Sequence, residues 1–171
     1  MAYLLDANVF IEAKKRHYGL DFCPAFWDWL VMENAAGRVY SIEKVEDEIQ
    51  AGADELSVWA ASRGPDFFLR PDDAVTRALV TVSTWAVGQT GVRYEAAAVN
   101  SFLGDPDYYL VSHALAHGYT VVTHEIRGNA NARREIKIPD ACDGVGVIPI
   151  SPFEMLRLSG ARFVLGPAPN A

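Results

Sequence analysis

The chain alternates short apolar runs with longer segments of helical periodicity, and this alternation limits the possible folds more than any other feature. The run Tyr119–Thr123 is the clearest strand, because it is rich in β-branched residues and follows a helix that Gly118 ends. Predicted strands lie at residues 3–6, 38–40, 67–69, 119–123 and 145–150. Helices between the strands of one sheet favour parallel pairing. The predicted fold is α/β, a three-layer α/β/α sandwich around a parallel sheet of about five short strands.

The segments between these strands have the apolar spacing of helices and carry typical start and stop residues. Predicted helices lie at residues 8–16, 24–36, 41–50, 53–62, 71–87, 94–102, 107–117 and 151–157. Ser41 and Ser151 are predicted N-caps, and 127–137 is a predicted polar loop. Residues 1–160 are expected to form one domain, followed by a C-terminal tail, 161–171, in which Gly166–Pro169 should be flexible.

Composition excludes some classes of protein and leaves others open. Half of the residues are hydrophobic and 22% are charged, as in ordinary globular proteins. The net charge of −7 argues against broad electrostatic binding of nucleic acid, which usually needs a basic face. It is compatible with an enzyme that holds a polyanion through metal ions and a local basic patch.

The sequence predicts a cytoplasmic protein with reduced thiols. The start, Met1–Tyr3, has no basic region before its apolar run, and no stretch approaches the ~18 apolar residues of a membrane span. Cys23 and Cys142 lie far apart and form no CxxC motif. The four histidines are scattered, so a zinc site is not expected.

Asp6 is the first candidate functional residue, because it ends the apolar run Tyr3–Leu5 and precedes a helix directly. In a parallel sheet it would stand at the carboxyl end of a strand, which is the edge where ligands bind. The alternative role is a helix N-cap, which aspartate fills well.

Asp107 and Glu125 are expected at the same edge. Asp107 begins the helix that leads into strand 119–123, and Glu125 follows that strand. Capping is again the alternative for Asp107, and Asp105 shares both roles. Asp107 is preferred because it lies on the helical stripe of Leu110 and Val111, where an unpartnered acid is unfavourable. The alternative for Glu125 is an ordinary surface glutamate in a loop.

The helix 41–50 offers a fourth carboxylate. Ile42, Val45 and Ile49 define its buried stripe, and Glu46 and Glu48 flank that stripe on opposite sides. Either side chain could therefore face a cleft, and periodicity alone does not choose between them. Ordinary surface charge is the alternative for both.

Carboxylates gathered at one edge would repel each other unless a divalent cation lay among them. Oxygen ligands of this kind suit Mg²⁺ or Mn²⁺ better than zinc. Such ions can activate water for attack on a phosphodiester. The residues therefore predict a metal-dependent nuclease. His124 lies within reach of this site, although a structural or surface role is favoured for it.

Two basic groups could contact the phosphates of a substrate. They are Arg127, Arg133, Arg134 and Lys137 beyond Glu125, and Lys14, Lys15 and Arg16 at the end of the first helix. A solvated polar surface is the alternative. Trp27, Trp29 and Trp59 could stack on bases, but core or dimer contacts are favoured because they lie on helical stripes.

Three segments in a fixed order carry a family resemblance. They are Leu4–Phe10, with Asp6-Ala7-Asn8 at its centre; Val45–Ile49; and Asp107–Gly118 followed by Thr120–Thr123. The first is similar to a D-[TS]-[NS] opening, and the last to a D-x-x-[IL]-x-x-x-A-x-x-x-G-x-x-[LV]-V-T run. Together they resemble the PIN-domain family, in particular its VapC-like toxin ribonucleases. The opening through Phe26–Leu30 also looks like a poorly characterised PIN-like subgroup.

The resemblance implies roles for individual residues. It implies Asp6, Glu48 and Asp107 as metal ligands, which favours Glu48 over Glu46. Glu125 matches a fourth position that is usually Asp or Asn, and its extra methylene could make coordination water-mediated. Asn8 and Thr123 match polar positions that support the site.

The resemblance also implies an activity and partners. It implies an α/β/α sandwich, Mg²⁺ or Mn²⁺, cleavage of single-stranded RNA, homodimers and, for the toxin branch, a cognate antitoxin. Two other readings remain open. A phosphatase of the haloacid-dehalogenase type would need an aspartate where Asn8 stands. A non-catalytic interaction module with the same fold would account for the acidic charge and for Glu125.

Overall fold

Five parallel strands form the centre of the computed structural model, which describes residues 1–129 and 131–164. The strands are β1 (Tyr3–Leu5), β2 (Val39–Ile42), β3 (Phe68–Leu69), β4 (Thr120–Val122) and β5 (Pro149–Ile150). Their order across the sheet is β3-β2-β1-β4-β5. Helices flank the sheet, and the predicted three-layer α/β/α sandwich is confirmed.

The helices of the described segments account for most of the remaining chain. They are α1 (Ala7–Glu12), α2 (Pro24–Ala35), α3 (Glu43–Gln50), α4 (Glu55–Ala61), α5 (Asp73–Gly88), α6 (Ala96–Gly104), α7 (Pro106–His117), α8 (Ile138–Val145) and α9 (Pro152–Leu158). A π-helical turn, Ala13–His17, continues α1. α7 packs against α5 and α8, while α3 packs against α1, α4 and α7.

The strand order reverses between β1 and β4, and this reversal positions the candidate site. β1 pairs with β2 through Tyr3 and Val39 on one side and with β4 through Leu5 and Val122 on the other. All three residues of β1 are buried, as expected for a central strand covered on both faces. In open parallel sheets, ligands bind beyond the carboxyl ends of the two neighbouring strands at which the strand order reverses, here β1 and β4.

The predicted strand at 145–150 is wrong over most of its length. Residues 138–145 form α8, a helix that the sequence analysis did not predict, and only Pro149–Ile150 belongs to the sheet. Pro139 fits the first turn of α8, and Gly146 ends the helix with a φ of +80°. The apolar residues after Gly146 therefore continue as a short edge strand.

The two predicted serine caps had different outcomes. Ser41 as an N-cap is wrong: it lies in β2, and its buried hydroxyl donates to the Leu5 carbonyl at 2.6 Å. Ile42 occupies the N-cap position of α3 instead. Ser151 is confirmed, because it forms a reciprocal capping box with Glu154 at the start of α9.

The tryptophans belong to the aromatic core. Trp27 and Trp29 are buried. Trp59 lies edge-on to Trp27, with ring centroids 4.9 Å apart, and packs against the core cluster. These contacts favour the core role over base stacking for all three.

Part of the predicted C-terminal tail belongs to the folded domain. Ala161 and Phe163 of the predicted tail pack against the core, whereas Gly166–Pro169 lies outside the described residues. Cys23 and Cys142 are both free thiols. Among the described helices, none combines the length and the apolar character needed to cross a bilayer.

Candidate functional site

Asp6 lies at the carboxyl end of β1 and is only 6% exposed. It occupies the N-cap position of α1, but its side chain makes no capping hydrogen bond. Its Oδ2 instead accepts a hydrogen bond of 2.9 Å from the hydroxyl of Thr123, beyond the end of β4. This hydrogen bond links the end of β1 to the residue that follows β4.

Thr123 and Asn8 hold the ends of β1 and β4 together. The Thr123 hydroxyl accepts from Asn8 Nδ2 and from the amide of Glu125, both at 3.0 Å. Asn8 Oδ1 accepts from the amide of His124 at 3.0 Å. With its bond to Asp6, the threonine hydroxyl uses its one donor and both acceptor positions. Asn8 and Thr123 therefore lie where supporting residues are expected.

Asp105 and Asp107 differ in the two roles that the sequence left open for both, which are helix N-cap and carboxylate of the candidate site. Asp105 is the N-cap of α7, and its Oδ1 accepts from the Asp107 amide at 3.3 Å. Asp107 lies in the first turn, half-buried. Burial raises the pKa of Asp107 to about 8, with further contributions from the charges of Asp6, Asp105, Glu125 and Glu48.

Asp6 is subject to the same effects. Burial raises the pKa of Asp6 to about 7, the Thr123 hydroxyl partly offsets this, and the charges of Glu125 and Glu48 raise it further. Carboxylates influence each other in this way only when they lie close together in a poorly solvated region. The fold thus brings Asp6 and Asp107 to one edge of the sheet, with Glu48 and Glu125 beside them.

Glu48 lies at the solvent-exposed rim of this group. Partial burial and the charge of Asp105 raise its pKa. Glu46 lies apart from the group, where it accepts from Gln50 Nε2 at 2.9 Å on the same helix. The packing of α3 against α7 therefore directs Glu48, and not Glu46, towards the other carboxylates.

Glu125 is held by the start of α8. Its Oε2 accepts from the Ile138 amide at 2.7 Å, and its Oε1 accepts from Lys137 Nζ at 3.2 Å. An acid at a helix N-terminus is favourable, because the first amides of a helix have no partner within it. The half-buried Glu125 is therefore oriented by contacts of its own, while its charge acts on Asp6 and Asp107.

The chemistry of this group fits a hard divalent cation. Every candidate ligand atom is a carboxylate oxygen. Burial, and then the charges of neighbouring carboxylates, raise the pKa values of Asp6 and Asp107, and a cation would compensate both effects. No three acidic, histidine or cysteine side chains within residues 1–129 and 131–164 are already arranged to hold one ion. Ion binding would thus require the carboxylates to draw closer.

Most of the candidate RNA-binding side chains form ion pairs with the protein's own carboxylates. The pairs are Lys14 with Asp54 at 2.6 Å, Arg16 with Glu12 at 3.0 Å, Arg127 with Asp143 at 2.6 Å, Arg134 with Glu95 at 3.8 Å and Lys137 with Glu135 at 2.6 Å. Lys15 is exposed, and Arg133 donates to the Gly91 carbonyl at 3.1 Å. The exposed pairs among them, such as Arg134 with Glu95, are weak and can exchange for a phosphate.

Three cavities adjoin the carboxylates, and each also contains a basic side chain. The largest, about 460 Å³, is lined by Glu125 and Arg127. A cavity of about 110 Å³ is lined by Glu48, Lys14 and Lys15. A third, of about 80 Å³, is lined by Asp105, Asp107 and Arg134. Both basic groups therefore lie near the acidic edge.

Two features of the site were not assigned from the sequence. Asp105 was ranked below Asp107, yet its charge acts on both Glu48 and Asp107. The Ile138 amide that orients Glu125 belongs to α8, the helix that was missed. Pro139 was the available signal for this helix start, because proline favours the first turn.

Comparison with protein families assigns most of the chain to one family. The family model described as "Domain of unknown function (DUF4411)" matches residues 3–163, and the chain belongs to this family. No curated protein and no solved structure matches the chain.

Proposed function

We propose that this protein is a metal-dependent endoribonuclease that hydrolyses phosphodiester bonds of single-stranded RNA. The observation that carries this proposal is the Asp6 carboxylate at the β1–β4 switch point, where burial raises its pKa to about 7 and the charges of Glu125 and Glu48 raise it further. Such an arrangement is costly for folding. Costly polar clusters at a ligand-binding edge are typical of functional sites.

The residues have distinct roles under this proposal. Asp6, Glu48, Asp107 and Glu125 would hold Mg²⁺ or Mn²⁺, either directly or, for Glu125, through water. The ion would supply an activated water and stabilise the departing oxygen of the phosphodiester. Thr123 fixes the orientation of Asp6 through its 2.9 Å hydrogen bond, and Asn8 fixes Thr123. Lys137 and the Ile138 amide hold Glu125.

Two considerations favour RNA as the substrate. The cavities beside the carboxylates each carry a basic side chain, which could pair with a phosphate on either side of the cleaved bond. The resemblance to PIN-domain ribonucleases adds single-stranded RNA as the substrate class. The net charge of −7 makes binding outside the site weak, so the basic side chains near the edge would determine where the strand lies.

The same resemblance supports a biological role. As the toxin of a type II toxin–antitoxin pair, the protein would act in the cytoplasm as a homodimer and would be inhibited by an antitoxin encoded beside it. Growth arrest on expression, relieved by co-expression of the adjacent reading frame, is the expected result. Unimpaired growth at a verified level of active enzyme would contradict the toxin role without affecting the nuclease.

The nuclease proposal is tested with purified protein and a labelled single-stranded RNA. Cleavage should require Mn²⁺ or Mg²⁺, stop in EDTA, and be lost in Asp6→Asn, which keeps an oxygen acceptor for the Thr123 hydroxyl. Asp47→Asn is the matched control, because Asp47 is an exposed aspartate on α3 outside the cluster. Cleavage that persists in EDTA, or that survives Asp6→Asn, would refute the mechanism.

One observation favours a second candidate, a non-catalytic interaction module. Glu125 already has a cation and an amide as partners, and the described carboxylates are not arranged around an ion position. Calorimetry that detects no Mn²⁺ binding would support this candidate over the nuclease. The phosphatase reading is disfavoured, because Asn8 uses its amide oxygen and nitrogen in hydrogen bonds to neighbouring groups.

A further inference from the structure

Three aromatic rings from separate elements form a cluster beside the acidic edge. His17 ends the π-helical turn after α1, His124 follows β4, and Phe153 lies in the first turn of α9. The His17 and His124 rings are stacked with centroids 5.8 Å apart. Phe153 meets His17 and His124 edge-on at 5.4 Å and 5.9 Å. These distances are within the range of favourable aromatic contacts.

The cluster lies at the surface and is not part of the core. His17 is exposed, His124 is half-buried and Phe153 is 37% exposed. α9 buries Pro152, Met155 and Leu156. Phe153 lies outside the core cluster, and its ring contacts within the described chain are those with His17 and His124.

The chain connects this ring cluster directly to the carboxylates. His124 lies between Thr123 and Glu125, and its amide donates to Asn8 Oδ1 at 3.0 Å. A cavity of about 460 Å³ is lined by Glu125 and Arg127, and also by Thr123 and Glu154, which are the chain neighbours of His124 and Phe153. Its volume is within the ~300–1,000 Å³ typical of small-ligand sites.

We propose that His17, His124 and Phe153 form a stacking surface for one unpaired base of the RNA strand whose backbone crosses the carboxylates. This inference rests on the proposed function for the identity of the polyanion. An unpaired nucleotide is the occupant that the chemistry favours, because it joins a planar base to a phosphate. The three rings would stack on the base, and Arg127, at the neighbouring cavity, could pair with the phosphate.

Stacking on these rings has consequences for specificity. Every base has a π-face, so the surface would tolerate different sequences and would discriminate against paired bases. It would also fix the position of the strand relative to Glu125. A double-stranded substrate would have to expose a base before it could bind in this way, and that requirement costs free energy.

The experiment compares two ligands and four ring variants by fluorescence anisotropy. The ligands are a labelled single-stranded RNA and a ribose-phosphate oligomer of equal length without bases. All proteins are full-length and carry Asp6→Asn, so that the RNA stays intact. Phe153→Leu and His17→Leu should weaken RNA binding about 5-fold to 100-fold and leave binding of the oligomer without bases unchanged.

Two further variants separate ring stacking from general effects. Phe153→Trp should restore RNA binding, because it restores an aromatic face. Phe22→Leu is the matched control, since Phe22 is 67% exposed and has no ring contact within the described chain. Melting curves of all variants establish that each one folds.

The inference is overturned if Phe153→Leu weakens both ligands equally or neither, or if the RNA binds no better than the oligomer without bases. Failure of the nuclease proposal has a different readout. In that case the protein without the Asp6 substitution leaves RNA uncut in Mn²⁺, whatever the ring variants do to binding.

Discussion

Thr123→Val is the substitution that tests most directly how the site is held together. The Thr123 hydroxyl donates to Asp6 Oδ2 at 2.9 Å and accepts from Asn8 and from the Glu125 amide, both at 3.0 Å. Thr123 is 2% exposed, so water does not readily replace these bonds. A bond to an ionised carboxylate contributes about 1.5–3 kcal/mol and a neutral one about 1 kcal/mol. The expected loss of unfolding free energy is therefore roughly 2–4 kcal/mol, allowing for non-additivity.

The assay is urea unfolding followed by tryptophan fluorescence, in EDTA at pH 8. Thr120→Val is the matched control, because Thr120 is also buried at β4 and its hydroxyl makes no side-chain hydrogen bond among the described residues. It should change stability by less than about 1 kcal/mol. Thr123→Ser keeps the hydroxyl and should recover most of the loss.

A functional measurement completes this prediction. Under the nuclease proposal, RNA cleavage should fall in Thr123→Val, because Asp6 loses the contact that orients it, and should remain near normal in Thr120→Val. If Thr123→Val and Thr120→Val had the same stability within about 1 kcal/mol, the hydrogen-bond network would not support the site as argued.

Three other predictions follow from the charges and burial. Glu48→Gln should lower Mn²⁺-dependent cleavage at least about 10-fold, while Glu46→Gln on the same helix should not; equal activities would exclude Glu48 from the site. Mn²⁺ at about 100 times its Kd should raise the melting temperature of the unsubstituted protein by roughly 5–10 °C and leave that of the Asp6→Asn variant unchanged. Equal shifts in the two proteins would show that the ion binds elsewhere. Burial, and then the charge of His117, lowers the pKa of His113 from 6.5 to about 4. Since the unfolded chain takes up this proton first, stability is full above pH 6.5 and is lost as the pH falls towards 4. Between pH 7.5 and pH 5 the unfolding free energy of the protein, measured in urea, should fall by about 2 kcal/mol more than that of the His113→Leu variant. If the unfolding free energies of the two proteins changed in parallel with pH, this prediction would be wrong.

Much of the fold was predictable because the signals were local. The β-branched run at 120–122 and the αL glycine at 118 determine a strand and the end of the helix before it. The apolar run at 145–150 was ambiguous, since short apolar runs suit strands and helix ends alike. Ser41 was misassigned because its partner, the Leu5 carbonyl, lies on another strand.

The candidate site was predictable only in part. Asp6 and Glu125 could be placed at strand ends from position alone, and Asp107 at a helix start. The choice between Glu46 and Glu48 was not available from periodicity, because both flank one stripe. The packing of α3 against α7 places Glu48 near Asp107.

The sequence by itself determined the alternation of strands and helices and the residue types at their ends. Such features depend on neighbours a few positions away. The tertiary structure decided that β1 lies beside β4, that Glu125 points to the start of α8, and that three rings meet at the acidic edge. The physical reason is that contacts between distant segments depend on strand order and packing, and no single stretch of residues determines either of these.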